Sequence, residues 1–102
     1  MQIYANNEKN VLRVKLIGEL DEHTAAIARR EADRLADQHI GCDSVVFDLK
    51  EVSFMDSTGI GFLIGRYKKC NRLGMTAYVT APSQSTDKIL AMSGVYTLMP
   101  KI

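Results

Sequence analysis

The sequence predicts an α/β domain: a mixed, mostly parallel sheet begun by an N-terminal hairpin, with helices packed on one face. Three observations carry that prediction. Leu12, Val14 and Leu16 alternate with Arg13 and Lys15 just after a polar cluster, Asn6-Asn7-Glu8-Lys9-Asn10, which reads as a hairpin with one buried and one wet face. Val45-Val46-Phe47-Asp48-Leu49 is β-branched and aromatic, as a buried strand should be. Apolar residues at 60, 63, 64 and 67 then fall on one helical face.

In chain order, Gln2 to Ala5 and Val11 to Ile17 are the strands of the hairpin, and Asn6 to Asn10 its turn. Gly18-Glu19-Leu20 is a short connection, and Asp21 is placed to cap a helix from Glu22 to about Gln38. Ala25, Ala28, Ala32 and Leu35 give that helix its apolar face; its charges lie elsewhere, as on a solvated surface. Ser44 to Leu49 is the central strand. A second helix runs from about Thr58 to Leu73, with Gly74 as its stop. Arg66, Lys68, Lys69 and Arg72 crowd its second half, where cations complement the helix dipole. Met75 to Thr80 is a further strand. Pro82 opens a last helix capped by Ser83 or Ser85, with Ile89, Leu90 and Met92 on its apolar side and Ser93-Gly94 at its end. Val95 to Met99 reads as a short extended piece, with Pro100 blocking further pairing. Right-handed crossovers from the third strand onward place the helices on the same sheet face.

Composition narrows the function classes. A chain of 102 residues is one domain, 1–102, with a single modest core. A formal net charge of +1 argues against an electrostatic nucleic-acid binder or a polybasic membrane surface. No segment approaches the length of a membrane span, and Met1-Gln2-Ile3-Tyr4-Ala5-Asn6 does not read as a signal peptide, so cytoplasmic residence is expected. Cys42 and Cys70 lack ligand-like neighbours beyond His39, too few for a metal site; free thiols are expected, with Cys70 facing the core. No metal or cofactor is expected.

The chemistry concentrates where the central strand hands over to the second helix. Asp56, Ser57 and Thr58 all favour a helix N-terminus, because their side-chain oxygens accept from free backbone amides. Three readings compete for Ser57. As a nucleophile it lacks the glycine two residues earlier that an elbow requires, Met55 standing there, and only His23 and His39 could serve as base. A phosphate-binding loop fits poorly, since Ile64 occupies the third glycine position of G-x-G-x-x-G. Gly61 and Gly65, four apart, are better explained by close packing, and Gly59 by removing bulk beside Ser57. As a phosphoryl acceptor, Ser57 would be exposed, unobstructed and at a positive helix end, with Asp56 adding negative charge beside the phosphate.

Phe54-Met55-Asp56-Ser57-Thr58-Gly59-Ile60-Gly61 resembles the phosphorylation loop of STAS domains, the anti-sigma factor antagonists. The longer run through Gly65-Arg66-Tyr67-Lys68 is most similar to the sporulation members that act on the anti-sigma F factor. Gly18-Glu19-Leu20-Asp21 with Thr24, and Met92-Ser93-Gly94, extend the resemblance along nearly the whole chain. It implies a non-enzymatic regulator. The unphosphorylated domain would bind an anti-sigma factor with serine kinase activity and free a sporulation sigma factor for transcription. That kinase would then phosphorylate Ser57 and end the interaction, and a serine phosphatase would restore it. Asp21, Asp56, Thr58, Gly59, Ile60 and Gly61 would form the contact surface. Asp21 is equally well placed as a helix cap, and Ile60 also fits the buried helical face. The alternatives are a non-switching STAS interaction module, in which the hydroxyl is only a cap, or a small hydrolase using Ser57.

Overall fold

The computed structural model describes residues 1–102. Its elements are β1 (Gln2–Glu8), β2 (Val11–Leu20), α1 (Ala25–Gln38), β3 (Ser44–Met55), α2 (Ser57–Arg72), β4 (Thr76–Thr80), α3 (Gln84–Ser93) and α4 (Val95–Leu98). The sheet order is β1-β2-β3-β4; β1 runs antiparallel to β2, and the remaining pairs are parallel. This is the predicted mixed sheet. Leu12, Val14 and Leu16 of β2, Val45, Phe47 and Leu49 of β3, and Ala77 and Val79 of β4 meet Ala28 and Ala32 of α1, Leu63 and Cys70 of α2, and Leu90 of α3 in one core. Burying a side chain such as Phe47 or Leu63 contributes about 1.5–3 kcal/mol each. No helix is long and apolar enough to cross a membrane.

Several boundaries differ from the sequence reading, each for a physical reason. Only Lys9 and Asn10 turn, both at positive φ, so Asn6 to Glu8 stay in β1 and the hairpin closes on two residues. β2 continues past Ile17 and β3 past Leu49, because the two pair with one another through Gly18↔Val52 and Leu20↔Met55. Lys50, Glu51 and Ser53 tolerate this because their side chains are exposed. α1 begins at Ala25 rather than Glu22, the intervening residues forming a separate turn. Met92 is not on a buried face; α3 reaches the core through Thr86 and Leu90, one helical turn apart.

Val95 to Met99 is not extended. Gly94 adopts φ 83° and turns the chain into α4, where the Met99 amide donates to the Val95 carbonyl at 2.8 Å. The two buried residues, Val95 and Met99, lie four apart, which is a helical spacing rather than a strand's. Pro100 does not end pairing either. Its carbonyl accepts from the Val79 amide at 3.1 Å, and the Ile102 amide donates to the Val79 carbonyl at 2.9 Å, covering part of the β4 edge. A missing N–H matters only where a donor is needed. Cys70 is buried as expected, and burial pushes its thiol up to about 11, so it remains protonated and inert.

Asp87 clasps this C-terminal segment, accepting from the Tyr96 hydroxyl at 2.6 Å and the Lys101 ammonium at 2.9 Å. Those two donors lower the Asp87 pKa below its ordinary value of 3.8. A carboxylate with a depressed folded pKa contributes stability above its unfolded pKa and loses it as pH falls through the folded value. Wild type should therefore melt above Asp87→Asn at neutral pH. The gap should close below about pH 4, and thermal melts across an acid series check it.

Candidate functional site at the ends of β2 and β3

Because β2 and β3 are parallel and Leu20 pairs with Met55, Asp21 and Asp56 emerge from the same edge of the sheet. In open α/β sheets the carboxyl ends of the strands are where sites are built. Asp56 is extended, at φ −115° and ψ −166°, and its Oδ1 accepts from the Thr58 amide at 2.9 Å. Its carbonyl accepts from the Gly59 amide at 3.0 Å. Asp56 is thus the N-cap of α2. Ser57 is the first helical residue and Thr58 the second, so α2 begins one residue before the Thr58 start that the sequence suggests. With the cap supplied by Asp56, the Ser57 side chain is left exposed at the positive end of a 16-residue helix.

Asp21 anchors the turn ahead of α1. Its Oδ1 accepts from the amides of His23 at 2.9 Å and Thr24 at 3.2 Å, and Thr24 Oγ1 donates to the Glu19 carbonyl at 2.9 Å. The residue caps, but it caps this turn; the α1 N-cap is Thr24, whose side chain makes no capping bond to the helix. Ile60 is half-buried against the core edge.

The glycines take different roles from those expected. A Cβ on Gly59 would lie 2.3 Å from Met55 Cγ and 3.2 Å from the Leu20 carbonyl oxygen, so Gly59 lets the first turn of α2 seat on the ends of β2 and β3. Gly61 and Gly65 have no atom within 4 Å of the Cβ position, so they do not serve close helix packing. They open a groove between α1 and α2 instead.

Both histidines have other partners: His39 Nδ1 lies 2.8 Å from the Leu35 carbonyl, and His23 Nε2 lies 3.7 Å from Glu22. Neither is arranged as a base for Ser57. The structure also brings to this site a residue to which the sequence reading gives no contact role. Phe54, paired with Glu19 at the end of β3, leaves half of its surface in solvent two residues before Asp56.

A family model described as the STAS domain matches residues 2–102. The chain belongs to the STAS domain family. Among its relatives, the anti-sigma F factor antagonist of Paenibacillus polymyxa is 39% identical, over 98% of this chain and 85% of that protein. The anti-sigma-B factor antagonist of Bacillus subtilis is 28% identical, over 93% of this chain and 84% of its own length. Among solved structures, the anti-sigma factor antagonist SpoIIAA in its unphosphorylated form has the same fold, with a TM-score of 0.78 at 23% identity. That likeness covers 99% of this chain and 88% of that one. The STAS fold thus places Asp21, Asp56 and Ser57 together at one sheet edge, with Phe54 beside them.

Proposed function

We propose that this STAS domain is an anti-sigma factor antagonist that works by partner switching. Unphosphorylated, it binds an anti-sigma factor with serine kinase activity in the cytoplasm and frees a sporulation sigma factor for transcription. Transfer of the ATP γ-phosphoryl group to the Ser57 hydroxyl ends the interaction, and a serine phosphatase reverses it. The observation that carries this reading is the exposed Ser57 at the first position of α2, with its cap supplied by Asp56. The relationship to the P. polymyxa antagonist of the anti-sigma F factor supports the choice of partner. Asp21, Asp56, Thr58, Gly59, Ile60 and Gly61 then surround the acceptor, Gly59 by seating the helix rather than by touching the partner.

Calorimetric titration with the anti-sigma F factor of P. polymyxa tests this. Saturable binding of the unmodified chain is expected, and no binding contradicts the reading. Asp21→Asn refines it. Asn caps about as well as Asp, so the variant should melt within about 1–2 °C of wild type. Removing the charge should nonetheless weaken binding by about threefold to tenfold. Unchanged affinity would leave Asp21 a purely structural role.

A further inference from the structure

An open groove of about 540 Å³ runs between α1 and α2, beginning at Thr58 and passing over Gly61 and Gly65. Four of its ten lining residues are cationic, Arg29, Arg66, Lys68 and Arg72, and none is acidic. A net charge of +1 conceals this segregation. The edge that adjoins it has the opposite sign. Residues 18–28 carry Glu19, Asp21 and Glu22 without a Lys or Arg, and residues 52–65 carry Asp56, again without one. Thr58 and Gly61 belong to both regions.

Arg66 strengthens the case. Only 6% of it is exposed, and its guanidinium sits 5.2 Å from the Phe62 ring centre. Its Nε is 2.8 Å from Asp33 Oδ1, an ion pair that holds the guanidinium against α1. The guanidinium lines the groove beside three further cations, where an arriving anion meets it. The glycine floor leaves room for one to approach α2 closely.

We propose that this groove is the second half of the docking surface and receives an acidic segment of the anti-sigma partner, an inference that rests on the partner-switching reading above. The partner is then bipolar: cationic where it meets Asp21 and Asp56, anionic where it meets Arg29, Lys68 and Arg72. Opposite patches meeting opposite patches fix the orientation of docking and speed encounter.

The test measures association of the P. polymyxa anti-sigma F factor with wild type, Arg29→Gln/Lys68→Gln/Arg72→Gln, and Ser57→Asp, at about 50 mM and about 300 mM salt. The groove variant should associate about tenfold more slowly at low salt and lose most of its salt dependence. If it melts well below wild type, Lys68→Glu, a single change on an exposed side chain, carries the same test. Wild-type rates in the groove variant, with binding lost in Ser57→Asp, overturn the groove and leave the switch standing. No binding by wild type overturns both. A mixed-sequence RNA oligomer that binds wild type more tightly than the partner does, and fails to bind the groove variant, makes this a nucleic-acid site and also overturns the proposal.

Discussion

Phosphorylated on Ser57, the domain is expected to keep its fold and to lose its partner. The phosphate adds a charge of about −1.5 to −2 at the first position of α2, where an anion is favoured by about 0.3–1 kcal/mol. Asp56, whose carboxylate caps the same helix, repels it. The two effects largely offset each other, and both are small beside the roughly 5–15 kcal/mol that holds a small domain together. At an interface the balance changes. A dianion pressed against a surface shaped for a hydroxyl must shed its water, and an unpaired buried charge costs several kcal/mol. Loss of about 3 kcal/mol is a hundredfold or more in affinity. Far-UV circular dichroism should therefore match between the two forms and melting temperatures should differ by only a few degrees, while affinity for the anti-sigma F factor falls at least about a hundredfold. A large drop in melting temperature would instead make phosphorylation an unfolding signal.

Asp33→Ala should destabilise the domain well beyond an ordinary surface change in the helical layer. Arg66 is buried, and burial lowers its pKa, with the Asp33 carboxylate the main opposing influence. Removing one partner of a fully buried pair costs about 3–5 kcal/mol, because the other charge is left uncompensated. The Asp33 side chain is 25% exposed, which lets water reach the pair. That reduces the expected loss to about 2–3 kcal/mol, or roughly 10–20 °C in melting temperature for a domain of this size. Asp33→Ala combined with Arg66→Met removes the stranded charge and keeps the packing against Phe62, so it should recover most of the loss. A single variant melting within about 2 °C of wild type would show that the pair contributes little.

Much of this architecture is written in local pattern. The alternation at Leu12, Val14 and Leu16, the helical spacing through Leu63 and the stop at Gly74 each specify one element without help from elsewhere. What was not legible depends on residues distant in sequence. Lys50 to Phe54 lacks a strand pattern, and it is extended because β2 continues beside it. Asp56, Ser57 and Thr58 all favour a cap, so composition cannot choose among them; the extended Asp56 and its bond to the Thr58 amide do. Val95, Tyr96 and Thr97 look like strand residues by type, but the spacing of four between buried Val95 and Met99 belongs to a helix. The basic groove was least legible, because Arg29 joins Lys68 and Arg72 only when the crossovers lay α1 beside α2.

The acceptor itself is the point on which the account turns. Incubation of the chain with the P. polymyxa anti-sigma F factor and ATP, followed by tandem mass spectrometry, locates any transferred phosphoryl group. One group on Ser57, absent in Ser57→Ala with Thr58 intact, is the predicted result. A phosphate on Thr58, its persistence in Ser57→Ala, or binding without any transfer would contradict it, the last leaving a STAS module that binds but does not switch.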